Sequence, residues 1–346
     1  MSIREFGITS NGKKVEAITL RHGTLTATVL TLGGILQSFT KDGRVIVCGF
    51  DTVDDYENDV NYLGALIGRY ANRIQNGQLT LDDETYSLAK NENGKTHSHG
   101  GDVGFDKRIW GCRVFGSEKG EGVKLFLTSP DGEEGYPGKV TVRATYFLDD
   151  DGLSIRYEAQ TDKKTVINLT NHSYFNADGY DSGSILSHRL RISADSFTAV
   201  DADSIPTDAR VPVEGTSFDF REEKPVSACT GEEMDQYTYT KGLDHNFNLF
   251  ECEPILHAGR KLSLAAKITG QVGGLTVYTD FPCLQVYAAN YMDGTRPFYG
   301  KVTQQPCHAI CFEAQTCGAN GPARGEGILQ PGETLDNMVY FCPETI

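Results

Sequence analysis

Apolar and polar residues alternate with a period of two through much of the chain. Leu25, Ala27 and Val29 are separated by threonines. Val140, Val142, Ala144 and Tyr146 alternate with Thr141, Arg143, Thr145 and Phe147, and Leu153, Ile155, Tyr157 and Ala159 alternate with Ser154, Arg156, Glu158 and Gln160. That period marks half-buried strands. Asp151-Gly152 between the last two runs predicts a tight hairpin. Shorter runs predict strands at 17–20, 35–39, 45–47, 123–128, 188–192, 261–268, 275–279, 284–288, 309–314 and 337–341. Helical periodicity is scarce. Residues 51–75 are the stretch expected to be short-helical or irregular, and 91–101, rich in Asn and Gly, predict a loop. A long loop-rich section is expected after 192. The 38 glycines fit many turns between short strands, so the fold class is all-β. No linker, low-complexity tract or fixed-period repeat divides residues 1–346, which predicts a single domain.

Charge narrows the partners. The formal net charge is −15, from 47 acidic and 32 basic residues. Such a chain repels phosphate backbones and anionic membranes, which argues against nucleic acid and lipid and suits a neutral small molecule. The nine cysteines are scattered, with no CxxC pair. Cys307, Cys311 and Cys317 cluster with His308, but their spacing fits no standard zinc site, so no metal is expected. Free thiols in a reducing compartment are the simpler reading. Residues 1–12 are polar without an apolar leader, and no run reaches the roughly 18 apolar residues of a membrane span. A cytoplasmic location is expected.

The chemistry-bearing residues lie far apart. At the midpoint, Asn168-Leu169-Thr170-Asn171-His172-Ser173-Tyr174-Phe175-Asn176 sets a histidine among amides, a serine and two aromatic rings. Asn and Ser can hold an imidazole for acid–base work near neutral pH, and the aromatic rings can offer flat apolar faces. A turn with a satisfied histidine is the plainer alternative. Glu313 shares one strand face with Cys311 and Gln315, opposite Ile310, Phe312 and Ala314. Among apolar neighbours a carboxylate resists ionising and suits a general base; on an edge strand it would be an ordinary surface glutamate. His97 and His99 stand two apart, better suited to hydrogen bonding a ligand than to binding metal, or simply solvated. Arg69 and Arg73, with Asn72 between them, form either a donor cluster or a solvated surface. Asp244 and Gln285 can bind ligand hydroxyls. Such a set fits a sugar, which offers many hydroxyls and an apolar face. There is no phosphate-binding Walker loop, no GxGxxG after a strand and no GxSxG elbow.

Taken together, these motifs resemble the aldose 1-epimerase (galactose mutarotase) family. The matching pieces are Gly68 to Ile74, His97 to Gly101, Gly104 to Lys107 with Trp110, Gly132 to Gly138, Asn168 to Asn176, Gly242 to Phe247 and Phe312 to Gln315, in order from about residue 30 onward. The resemblance implies a large antiparallel β-sandwich and cofactor-free interconversion of the anomers of free aldoses by a monomer or homodimer. It implies His172 as general acid and Glu313 as general base, with Asn72, Arg73, His99, Asp244, Gln285 and Tyr174 at the sugar. Thr96 and Ser98 stand where the family pattern has Asn and Leu. Two alternatives are a hexose-6-phosphate epimerase, which would need extra basic groups, and a catalytically silent sugar-binding protein on the same scaffold. A glycoside hydrolase is disfavoured, since no pair of carboxylates flanks one site.

Overall fold

The computed structural model describes residues 1–229, 234–316, 318 and 320–346. Three large antiparallel sheets dominate. A five-stranded meander runs through Ser2–Ile8, Lys14–His22, Leu25–Leu30, Leu36–Lys41 and Arg44–Val45. A ten-stranded sheet includes, as successive neighbours, Gly111–Ser117, Gly120–Ser129, Val140–Leu148, Leu153–Thr161, Leu335–Thr345, Gly273–Thr279 and Arg260–Thr269. A six-stranded sheet follows the order Tyr174–Phe175, Ile310–Gln315, Cys283–Tyr287, Asp244–Leu249, Ala194–Val200 and Pro206–Pro212. The predicted hairpin forms in register, with Leu148 opposite Leu153 and Tyr146 opposite Ile155, so both alternations turn the same set inward.

Among the described residues the α-helices are two short ones, Val53–Glu57 and Asp235–Thr240. The first lies in the stretch read as short-helical. Thr52 starts it by accepting the Asp55 N–H at 3.1 Å, satisfying one of the otherwise unpaired amides of a first turn. No helix among the described residues is long and apolar enough to cross a membrane.

Several strands escaped the sequence reading, among them Ser2–Ile8, Ala194–Val200, Pro206–Pro212 and Asp244–Leu249, the last three in the section expected to be loop-rich. Ser2–Ile8 is an edge strand whose side chains are exposed or half-exposed, so no apolar alternation marks it. Ala194–Val200 and Pro206–Pro212 pair with each other inside the section expected to be loop-rich, which corrects that expectation. A register shift between Thr198 and Val200 breaks the period-two pattern there. Residues 230–233 of that section lie outside the described residues.

The sheets pack as a sandwich around one continuous apolar cluster. Phe247, Leu284, Val286 and Phe312 of the six-stranded sheet meet Ile155, Val277, Val339 and Phe341 of the ten-stranded one, all essentially buried. Phe175 bridges them, 6.4 Å from Phe312 and 4.9 Å from Phe341 between ring centroids. Full burial of each such side chain is worth about 1.5–3 kcal/mol. The strand pleat sends the intervening residues to the other face of the six-stranded sheet. Register aligns Asn246, Gln285 and Glu313 in one row there, and Asp244, Tyr287 and Cys311 in the next.

Candidate active site

A cavity of about 470 Å³ opens over that second face. Its floor is the sheet, and its walls come from 59–62, 72–73, 91–93, 98–102, 106–107 and 172–174. All eight residues singled out for catalysis or sugar binding line it: Asn72, Arg73, His99, His172, Tyr174, Asp244, Gln285 and Glu313. Residues up to 241 positions apart in the chain therefore share one space. Sheet pairing does this: Tyr174–Phe175 joins the edge of Ile310–Gln315, bringing His172 beside Glu313.

His172 and Glu313 form the centre. Nε2 of His172 lies 3.7 Å from Oε1 of Glu313, and the two residues are 5% and 3% exposed. Burial pulls the imidazole down to about 4, with the ring's contact to its own backbone carbonyl pushing weakly back. Burial also pushes the Glu313 carboxyl well above its ordinary value, and the Asp244 charge adds to this, against the pull of Arg73. Both groups therefore resist carrying charge, which favours a proton moving between them over two separate ions. His172 is fixed by its surroundings. Its backbone N–H donates to Ala65 O at 2.8 Å, and its ring stacks on Tyr174 at 5.1 Å and on Tyr62 at 6.0 Å.

Around this pair runs a prewired polar chain. Nδ2 of Asn72 donates to Oε1 of Gln285 at 3.0 Å, and Nε2 of Gln285 donates to Oδ1 of Asp244 at 2.7 Å. Asp244 is pushed upward by burial, opposed by Arg73 and by the Gln285 hydrogen bond. Arg73 is held by Glu92 through Nε at 2.9 Å and Nη2 at 2.9 Å, leaving Nη1 for a ligand. The bidentate pairing fixes the guanidinium plane. The Asn72 N–H donates to Nδ1 of His99 at 3.4 Å, so that nitrogen is unprotonated. Burial, and then the neighbouring His172, hold His99 well below its ordinary value. A neutral His99 so arranged presents an Nε2–H donor. Tyr174 packs against His172, and its hydroxyl donates to Asn61 O at 2.9 Å.

The two histidines read as a pair part company. His97 is fully buried: Nδ1 donates to Ala89 O at 2.7 Å and Nε2 accepts from Tyr136. His99 leaves the strand at a φ of 49°, which ends the alternation and swings its ring into the cavity. Arg69 separates from Arg73 in the same way. It is 1% exposed and donates to Ser129 and to the carbonyls of Pro130, Pro137 and Gly138, so it organises loops and contacts no ligand space. The cysteine cluster also disperses. His308 Nε2 meets Tyr180 O, Cys311 meets His172, and Cys317 lies outside the described residues. Among the described residues no group of three or more potential ligands could hold a metal.

Several wall residues were not read from the sequence. Tyr62 sits at a φ of 56°, unusual for a bulky residue. The Asp59 carboxylate secures that turn by accepting the N–H groups of Asn61 at 3.0 Å and Leu63 at 2.7 Å. The Tyr62 ring lies 4.7 Å from His99. Tyr287 and Tyr291 complete the aromatic lining. Asp59 followed at short range by Asn61 is a turn signal that could have drawn attention to Tyr62.

An antiparallel sandwich that opens a polar, aromatic-walled cleft over a buried imidazole–carboxylate pair defines an acid–base enzyme for a small polyhydroxylated molecule. Comparison with known proteins agrees. The family model described as aldose 1-epimerase matches residues 16–340. A galactose mutarotase of Mus musculus is 37% identical over 341 residues, covering 96% of this chain and 95% of that protein. An aldose 1-epimerase of Escherichia coli is 34% identical over 345 residues, covering 96% of each. The crystal structure of a galactose 1-epimerase from Lactobacillus acidophilus superposes with a TM-score of 0.88 at 30% identity, covering 99% and 98% of the two chains. The chain belongs to the aldose 1-epimerase family. Its activity is that of an isomerase of the mutarotase type.

Proposed function

We propose that the protein interconverts the α and β anomers of free aldoses, galactose and glucose among them, and that His172 and Glu313 carry the proton transfers. The observation that carries this assignment is the 3.7 Å approach of His172 Nε2 to Glu313 Oε1 at the cavity floor. The ring oxygen and the anomeric hydroxyl of a pyranose are attached to the same carbon. Groups that serve them must therefore stand side by side, as these do.

In the productive state His172 is protonated and Glu313 is ionised. Glu313 takes the proton of the C1 hydroxyl as C1 becomes a carbonyl. The C1–O5 bond breaks, and His172 Nε2 gives its proton to O5. Rotation about C1–C2 turns the other carbonyl face to O5, and closure runs the same transfers backwards. The sugar starts and ends neutral, so the chemistry asks for no metal or nicotinamide. Asn72, Arg73, His99, Asp244 and Gln285 hold the remaining hydroxyls. Their prior hydrogen bonding keeps them oriented before the ligand arrives, which lowers the entropic cost of ordering them.

A sugar phosphate fits this cavity poorly. Its cationic side chains are Arg73, engaged by Glu92, and Lys107, which donates to the carbonyls of Tyr56, Glu57 and Asp59. Asp59, Glu92, Asp102, Asp106, Asp244 and Glu313 surround them. Coupled polarimetry on freshly dissolved α-galactose and α-glucose tests the reading. Anomer exchange accelerated on the free sugars, and not on glucose 6-phosphate, supports it. Tight sugar binding with no acceleration would make the protein a silent binder.

A further inference from the structure

The strand that delivers Glu313 carries a second group turned on His172. Cys311 precedes Glu313 by two residues, so both side chains leave Ile310–Gln315 on the same face. The Cys311 sulfur lies 3.5 Å from His172 Nδ1, while Nε2 faces Glu313 at 3.7 Å. One strand thus meets both nitrogens of the imidazole.

We propose that Cys311 is a positioning residue: its sulfur accepts the Nδ1–H of His172 and so reserves Nε2 as the nitrogen that exchanges protons with the sugar. This rests on the reading of His172 as the acid. Which ring nitrogen keeps its proton is set by the bond that the other side of the ring makes. The sulfur stays neutral. It is 0% exposed, and burial, then the Glu313 charge, push the thiol well above its ordinary value.

A weak acceptor suits the task. A carboxylate at this position would bind the imidazolium strongly and make it a reluctant acid. A neutral sulfur, a weak acceptor, orients the ring while raising its basicity far less. The imidazolium stays acidic enough to protonate an ether-like ring oxygen. The proton balance leaves sulfur out: the Nε2–H bond breaks as O5–H forms and C1–O5 breaks, Glu313 takes the C1 hydroxyl proton, and Nδ1–H persists throughout.

The test is the tautomer of His172, read by two-bond ¹H–¹⁵N correlation in histidine-labelled full-length protein at neutral pH. The wild type and Cys311→Ser should show the Nδ1–H form. Cys311→Ala should move toward the Nε2–H form and lose about five- to tenfold in kcat, a weak hydrogen bond's worth, with KM held. Cys311→Val, close in volume and without the acceptor, repeats the measurement should Cys311→Ala not fold. An Nε2–H form in the wild type would overturn the proposal, as would wild-type tautomer and kcat in the Ala or Val variant. A wild type that accelerates no anomer exchange would instead overturn the proposed function and leave the tautomer readable.

Discussion

The two faces of the six-stranded sheet are equally buried and chemically opposite. Phe312, Val286 and Phe247 point into the sandwich; Glu313, Gln285 and Asn246 point the other way from neighbouring positions on the same strands. On the first face, burial of apolar area stabilises the fold. On the second, the same exclusion of water unsettles ionisable groups, lifting Glu313 and depressing His172. A single pleat therefore divides stability from reactivity at one-residue resolution. Substitutions on the second face should leave the fold standing while activity collapses, and those on the first should do the reverse.

The largest effects belong to the polar face. Glu313→Gln and His172→Asn should each lower kcat by about 10²–10⁴-fold, the usual weight of a positioned proton transfer, in polarimetric assays. Near-normal turnover in either variant would remove that residue from its role. Glu313→Gln should also change how stability depends on pH. The native carboxyl keeps a proton that the unfolded chain releases above about 4.5, so native stability falls as pH rises past that value. The variant lacks this loss, and its melting temperature at pH 8 should equal or exceed the wild type's. His172 works at the acid end. It titrates at about 4 in the fold against 6.5 ordinarily, so its contribution is lost as pH falls through that window.

On the apolar face, Phe312→Ala should cost about 3–5 kcal/mol of stability in denaturant titrations through transfer loss and the cavity left behind. The KM of the protein that remains folded should hold. A large KM change instead would mean that the two faces are coupled. Next in size, Arg73→Ala should raise KM for galactose about ten- to hundredfold, the worth of a lost hydrogen bond to a charged group, with a smaller change in kcat. The smallest effect tests the histidine pair. His97→Ala should cost about 1–3 kcal/mol by leaving Tyr136 and the Ala89 carbonyl unpaired, with KM unchanged, whereas His99→Ala should move KM and spare stability.

How much could be read beforehand follows the same division. Strands with one polar and one apolar face announced themselves, as in the hairpin around Asp151-Gly152. Glu313 could be placed opposite Phe312 from strand period alone. The edge strand Ser2–Ile8 and the bulged Ala194–Val200 could not, because neither keeps a clean alternation. The matched family segment accordingly begins at residue 16, earlier than the motifs alone suggested. Within the site, motif resemblance named the eight residues that the fold gathers, but local spacing misdirected in two places. His97 and His99 stand two apart in a stretch expected to be loop, yet His97 and Ser98 form a short strand and the left-handed turn at His99 separates the two rings. Arg69 and Arg73 looked equivalent, yet one is sunk among loop carbonyls. Tyr62 was invisible because its position depends on a strained turn secured by Asp59, a tertiary arrangement with no period.

The most direct measurement is a crystal structure of the Glu313→Gln variant with galactose bound. The sugar's C1 hydroxyl should lie within hydrogen-bond reach of residue 313 and its ring oxygen within reach of His172 Nε2, with Asn72, Arg73, His99, Asp244 and Gln285 on the remaining hydroxyls. A pyranose bound with its anomeric carbon away from both groups would contradict the acid–base pairing.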